Sequence, residues 1–370
     1  MKIANIAPPW LPIPPQDFGG TELVISYLVE EQVMQGYDIT LLAPGDAKTS
    51  AKLVSFFPKS LIPSGVPWQA PLKAFYHLYK SLEYVKTHDN FDIVHIHLSS
   101  PTDMLVFPLI ADFPIPCVAT LHSPFPFDLL HGWRGDADQF YMEWAPSLPV
   151  IAISESACAE VPHKLNFIGI IHHGIPTNQF IPVNQEREPF FAWLGRFIPE
   201  KGAHVAIEAA KRAHVPIVLA GTVDKYVQQS MQYFQQTIRP HIDDRQVKYI
   251  GPVDLARKID LLSRASGLLN PILWQEPFGI VMIEAMALEC PVISFARGAA
   301  PELIVHGETG FLAEDIDEMV RFIPLIHQID RKLTRARVEL NFSARVMAQK
   351  YVRLYQEVIT ANHKSSLQFS

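Results

Sequence analysis

The stretch FFAWLGRFIPEKGAHVAIEAAKRAHVPIVLAG, Phe190 to Gly221, decides the fold. It opens on an apolar run, Phe190–Leu194, turns through a polar segment carrying Arg196 and Lys201, reads as a helix over Ala203–Ala213, and ends in a second apolar run, Ile217–Ala220. Two short buried strands joined through a helix make a parallel pair, because a parallel connection needs a long crossover and covers the sheet with helices.

Working outward, the same alternation continues. Strands are expected at Val247–Ile250, Gly267–Leu269, Pro291–Phe295 and Gly310–Leu312, with helices at Tyr226–Ile238, Ala256–Ser263 and Val281–Leu288. An earlier series places strands at Ile3–Ala7, Ile39–Ala43, Ile93–Ile96, Val118–Leu121, Val150–Ile153 and Ile168–Ile171. Helical spacing appears in Glu22–Gly36 and in Pro71–Thr87, whose stripe of Leu72, Phe75, Tyr76, Tyr79 and Leu82 suits packing on a sheet better than a membrane face. Gly174, Pro176, Asn178 and Pro182 interrupt the pattern between the two series. The expectation is therefore α/β, with two Rossmann-like parallel-sheet domains, residues 1–174 and 175–343. A last apolar helix, about Ala344–Ile359, and a polar end fill 344–370, and periodicity does not say where that helix packs.

With 370 residues, 48% hydrophobic and 19% charged, the chain has enough apolar mass for two cores. Cys117, Cys158 and Cys290 have no paired spacing, and neither a disulfide framework nor a metal site is expected. The apolar stretch from Met104 to Leu121 is broken by Pro108, Asp112, Pro114 and Pro116, so no membrane span is expected there, and a cytoplasmic location is the default. Residues 1–175 hold 9 Lys+Arg against 17 Asp+Glu, while the remainder holds 22 against 21. That balance argues against nucleic-acid binding and leaves at most peripheral membrane contact.

Three segments carry chemistry. Gly19-Gly20-Thr21-Glu22 follows a proline-stiffened loop and opens a helix, where bare backbone amides suit an anion, although a plain strand-to-helix turn reads equally well. Arg196 and Lys201 stand at the carboxyl end of a strand, where open α/β sheets bind ligands, and could clamp a diphosphate or simply be solvated. Glu276-Pro277-Phe278-Gly279 leads into an apolar helix holding Glu284, where an unpaired carboxylate would be expensive. The alternative there is a capping Glu276 and a Glu284 held in a salt bridge. No Gly-x-Gly-x-x-Gly, Walker loop or Gly-x-Ser-x-Gly elbow is present.

Taken together, these motifs and their order resemble the retaining family 4 glycosyltransferases of GT-B fold. Gly298 with Pro301-Glu302, and Thr309-Gly310-Phe311, match as well. The resemblance implies two domains facing across a cleft, with the acceptor in the first, the nucleotide-sugar in the second, and the last helix returning to the first domain. It implies that Arg196 and Lys201 neutralise the donor diphosphate without a metal, Glu276 binds the donor sugar, and Glu284 binds the ribose. Gly19, Gly20, Thr21 and the amides of Phe278, Gly279, Ile280 and Val281 would approach the sugar and phosphates. His122 matches a position beside the transferred bond and would share in catalysis.

The expected donor is UDP- or GDP-linked, with no other cofactor, and the acceptor a carbohydrate, a lipid-linked molecule or a small molecule. Phe125, His131 and Trp133, in a stretch that matches no family motif, could stack on the acceptor or form a satellite core. Ala287-Leu288-Glu289-Cys290-Pro291 replaces a smaller family turn that holds a glycine. A non-catalytic nucleotide-sugar binding protein and a glycan phosphorylase of the same architecture are the competing readings.

Overall fold

The computed structural model describes residues 1–16, 19–68, 70–88, 90–123, 129–130, 133–134, 137–161, 164–183, 186–224 and 228–368. The chain divides into two compact units, Met1–Gly174 with Ala344–Ser370, and Ile175–Ser343.

The first unit is built on β1 (Lys2–Ile6), β2 (Asp38–Leu42), β3 (Lys52–Val54), β4 (Ile93–Leu98), β5 (Cys117–Leu121), a small hairpin β6 (Leu129–Leu130) and β7 (Trp133–Arg134), then β8 (Val150–Ala152) and β9 (Phe167–Ile170). Seven of these form one parallel sheet in the order β3-β2-β1-β4-β5-β8-β9. Runs such as IVHIHL in β4 are buried along their whole length, as a strand covered by helices on both faces must be. Pro71–Thr87 is a helix with proline in its first turn, which fixes φ where no amide partner is needed. It buries Ala74, His77, Leu78, Leu82 and Val85, while Leu72, Tyr76 and Tyr79 of the expected stripe are exposed. β3 has no counterpart in the sequence reading, because a three-residue edge strand of Lys, Leu and Val is too short to show a period.

The helix Ala344–Gln368 belongs to the first unit and packs against the helix Gly20–Met34. Its Tyr351 and Tyr355 are buried there, with hydroxyls bonded to Thr120 and His95.

The second unit has β10 (Phe191–Arg196), β11 (Ile217–Thr222), β12 (Val247–Tyr249), β13 (Gly267–Asn270), β14 (Val292–Phe295) and β15 (Gly310–Ala313), in one parallel sheet ordered β12-β11-β10-β13-β14-β15. Trp193 of β10 is buried against Phe197, and residues such as Ile207, Leu219, Phe234 and Ile293 fill the same core. Each such side chain contributes about 1.5–3 kcal/mol by leaving water. The expected helix at Tyr226–Ile238 starts at Gln228 within the described residues, and its last five residues, Phe234–Ile238, take π-helical spacing. The unusual turn before β14 places Glu289 at φ 57, a left-handed conformation that glycine adopts without strain. Arg331 Nη1 donates to the Glu289 carbonyl at 2.9 Å and helps hold it.

Candidate functional site

In the second unit the strand order runs outward in both directions from β10 and β13, which are parallel neighbours. This is a topological switch point, and the crevice beyond the carboxyl ends of such strands is where open α/β sheets bind ligands. Arg196 ends β10, is exposed, and its guanidinium has no partner among the described residues. Lys201 follows in a short 3-10 turn, and the loop after β13 carries Trp274 and Glu276.

These two loops are joined by contacts that explain their residues. Leu273 N donates to Glu200 O at 2.9 Å, and Trp193 Nε1 donates to Lys201 O at 3.1 Å. Gly202 has φ 69, and a Cβ there would stand 2.0 Å from the Pro271 carbonyl oxygen, so only glycine lets the loops meet. Lys201 Nζ forms a charge-assisted bond to Glu276 Oε2 and lies 5.6 Å from the centre of the Trp274 ring. Trp274 Nε1 donates to the same carboxylate oxygen at 2.8 Å. From the other side, Ala299 N donates to Glu276 O at 3.0 Å. Gly298 lies so close that a Cβ would sit 2.3 Å from that oxygen. Glu276 is thus held by backbone and side chain at once. It does not cap the following helix.

That helix, Ile280–Ala287, starts at Gly279, whose φ is 83, and among the described residues no side chain caps it. Its first-turn amides form the positive end of the helix dipole. Glu284 is 2% exposed, and Lys258 Nζ bonds its Oε1 at 2.7 Å. Lys258 lies on the helix Leu255–Arg264 and was missed in the sequence, where nothing in spacing links it to Glu284. Trp274 was missed for the same reason.

The first unit has its own switch point, between β1 and β4. Gly19, Gly20 and Thr21 lie at the start of the helix Gly20–Met34, with Gly19 at φ 139 and the Glu22 side chain folded back against it. Burial, with Asp103 nearby, pushes the Glu22 carboxyl up to about 7. Burial also raises Asp103, to about 6, against the amides of Ser99 and Ser100 that hold it at 2.8 Å each. His122 follows β5, is buried, bonds His97 Nδ1 through Nε2 at 2.9 Å, and stacks on His173. Burial, with His173 and His97 adding to it, holds His122 well below its usual range. His95 and His97, two apart on β4, share one face, an alternation visible in the sequence but not read as a site. Phe125 and His131 lie outside the described residues. Trp133 is described only as a residue of β7, paired with Leu130, and not by its side chain.

Among the described residues no group of three or more His, Cys, Asp or Glu is arranged to hold a metal ion. Likewise, among them no helix is long and apolar enough to cross a membrane.

Comparison with known proteins bears on the family and the fold. The description "Glycosyltransferase Family 4" matches residues 18–179, and "Glycosyl transferases group 1" matches residues 175–328. An uncharacterised glycosyltransferase of Methanocaldococcus jannaschii is 24% identical over 81% of this chain and 86% of its own length. Trehalose synthase of Thermococcus litoralis is 27% identical over 49% of this chain, which spans only 47% of that protein. A phosphatidyl-myo-inositol mannosyltransferase of Propionibacterium freudenreichii is 26% identical over 74% of this chain and 72% of its own. Among solved structures, a sucrose-phosphate synthase of Thermosynechococcus elongatus has a TM-score of 0.79 at 19% identity, covering 97% of this chain and 99% of that one. Anabaena HepE in complex with UDP and glucose has a TM-score of 0.72 at 18% identity, covering 96% and 99%. These structural likenesses establish the fold class, two Rossmann-like parallel-sheet units as in GT-B glycosyltransferases. With the two family descriptions together spanning residues 18–328, the chain belongs to the family 4 glycosyltransferases, the glycosyl transferases group 1.

Proposed function

We propose that the protein transfers a hexosyl group from a nucleoside-diphosphate sugar to an acceptor hydroxyl, with retention and without a metal. The observation that carries this reading is the Lys201–Glu276–Trp274 cluster at the β10/β13 switch point, beside Arg196 at the end of β10. Arg196 and Lys201 supply the positive charge that a departing diphosphate needs, and preorganised charge in a shielded site is a large catalytic term. Glu276, fixed by Trp274 and by the backbone at Gly298 and Ala299, offers a carboxylate to sugar hydroxyls. Glu284, already ionically paired, offers its other oxygen to the ribose. In the second unit the amides of Phe278 to Val281, at the start of the helix Ile280–Ala287, offer donors to the phosphates; in the first unit Gly19, Gly20 and Thr21 offer the same at the start of the helix Gly20–Met34.

In the reaction the bond from the anomeric carbon to the diphosphate oxygen breaks. The acceptor oxygen bonds the same carbon from the same face, and its proton passes to the departing diphosphate. The names of the relatives, trehalose synthase and phosphatidyl-myo-inositol mannosyltransferase among them, suit a hexosyl donor and a carbohydrate, lipid-linked or small-molecule acceptor.

A panel of nucleotide-sugars that includes UDP-glucose and GDP-mannose, scored by thermal shift and nucleotide release, tests the reading. One donor should stabilise the protein and be turned over with an acceptor, the product keeping the donor's anomeric configuration. Binding without turnover across all acceptors would leave a nucleotide-sugar binding protein. Lys201→Ala should weaken nucleoside diphosphates by about tenfold, some 1.4 kcal/mol, and nucleosides far less. Equal losses in calorimetry would remove the diphosphate clamp.

A further inference from the structure

We propose that a hydrogen-bond chain through Gln32, Asn5 and His97 holds His122 as its Nε2–H tautomer, leaving Nδ1 as a bare acceptor for a sugar hydroxyl entering the first unit. The sugar itself rests on the function proposed above; the tautomer does not.

The direction of each bond follows from what each atom can give. Gln32 Nε2 donates to the Tyr355 hydroxyl at 3.4 Å, which turns Gln32 Oε1 toward Asn5. Asn5 Nδ2 donates to that oxygen at 3.2 Å, so Asn5 presents Oδ1 to His97 Nε2, 3.4 Å away. An amide oxygen only accepts, so His97 carries its proton on Nε2. Burial holds His97 well below the usual histidine range, with His95 and His173 adding to the effect, and the ring is neutral. A neutral imidazole has one N–H, so His97 Nδ1 is an acceptor. His122 Nε2, 2.9 Å from it, must then donate. His122 is neutral for the same reason as His97, which leaves its Nδ1 without a proton. That atom is buried and has no partner among the described residues.

A second branch runs the same way. Tyr355, having accepted from Gln32, gives its own proton to His95 Nδ1 at 2.6 Å. His95 Nε2 then donates to Thr120 Oγ1 at 2.7 Å, and the Thr120 and Tyr351 hydroxyls share a bond of 2.9 Å that either can donate. All three histidines adopt one tautomer, set by the two amides at one end and by Tyr355 of the last helix. The titratable groups facing this column are His95, His97, His122, His173, Tyr351 and Tyr355.

The consequence is a matched pair of chemistries. A bare nitrogen in a buried place is an expensive vacancy unless a donor fills it, and a sugar hydroxyl is such a donor. The opposite tautomer would present an N–H and select an acceptor instead. Gln32, Asn5 and His97 are positioning residues, acting through His122.

The test uses the full chain labelled with nitrogen-15 histidine, at about pH 7.5, where each ring is neutral. Long-range proton–nitrogen spectra should show His122 protonated on Nε2 and bare on Nδ1. His97→Phe keeps a ring but removes the acceptor, and should give a mixture of tautomers. His97→Gln supplies an amide oxygen and should restore the Nε2–H form. Nucleotide release from UDP-glucose and from GDP-mannose is followed in parallel. His97→Phe should lower turnover roughly tenfold with donor KM within about twofold, and His97→Gln should recover part of it.

A wild-type spectrum with the proton on His122 Nδ1, or a His97→Phe spectrum unchanged from wild type, overturns the proposal. Because the wild-type spectrum needs no substrate, it stands even if the His97 variants fail to fold. The expected tautomer with no turnover of any donor would uphold the chain and remove the glycosyl-transfer reading instead.

Discussion

The two units solve the problem of buried polar groups in opposite ways. In Ile175–Ser343 the polar groups near the switch point are charged and paired, Lys201 with Glu276 and Lys258 with Glu284. In the first unit the column from Gln32 to His122 is neutral throughout, its histidines held uncharged by burial. Paired charges can exchange partners with an anionic ligand, because a lysine released from a carboxylate can meet a phosphate. A neutral column cannot attract a diphosphate, but it can sort donors from acceptors among hydroxyls. The division suits a diphosphate-bearing donor in one unit and a polyhydroxyl partner in the other.

The sharpest way to break this comparison is at Glu276. On the proposed function, Glu276→Ala should lower transfer by roughly 10³-fold, since it would remove a preorganised contact to the sugar. Free nucleoside diphosphate should bind about as well as before, because Lys201 loses its internal partner and stays available. Calorimetry and steady-state rates on the same sample check both halves. A large loss of nucleotide affinity would show that Glu276 serves chiefly to place Lys201.

Next in size is the Lys258–Glu284 pair. Lys258→Met leaves a carboxylate that is 2% exposed without its cation and should cost about 3 kcal/mol in denaturant unfolding of the second unit. Lys258→Met with Glu284→Leu should recover most of that loss while weakening nucleosides. An unchanged single variant would mean that Glu284 has another partner.

The smallest effect per group is the pH response of the first unit. Burial lowers His77 to about 4 and His173 to about 3, and holds His95, His97 and His122 well below 6.5. The unfolded chain therefore binds more protons as pH falls below 6.5. The stability that these burials contribute is present above that pH and is lost as pH falls toward 4 and 3, by about 1.4 kcal/mol per pH unit for each histidine involved. Glu22 and Asp103, raised to about 7 and 6, act oppositely and favour the folded state below about pH 4.5. With five histidines against two carboxyls, hydrogen-exchange protection of β4 and β5 should fall below pH 6 while that of β10 and β13 holds. Equal loss in both units would deny the contrast between them.

Part of the cluster in the second unit was legible because its signals are local. Arg196 and Lys201 follow an apolar strand run, and Glu284 lies in an apolar helix that demands a partner, whereas the close approaches of Gly202 to Pro271 and of Gly298 to Glu276 appear only in the folded chain. The partner itself was not legible, since Lys258 is 26 residues away on a separate helix. The column was less legible still. Asn5, Gln32, His95, Thr120 and Tyr355 read singly as ordinary strand and helix residues, and only the pairing of β1, β4 and β5, with the helices Gly20–Met34 and Ala344–Gln368 packed together, brings them into line.

By itself the sequence determined the periodic elements, because strand and helix periods arise within a few residues and burial follows from them. It also placed one carboxylate, Glu284, in apolar surroundings. Only the tertiary structure decided which cation meets each carboxylate, where the helix Ala344–Gln368 packs, and in which direction the hydrogen bonds beneath His122 run. Those depend on contacts between residues up to 323 apart in the chain, which no local pattern encodes.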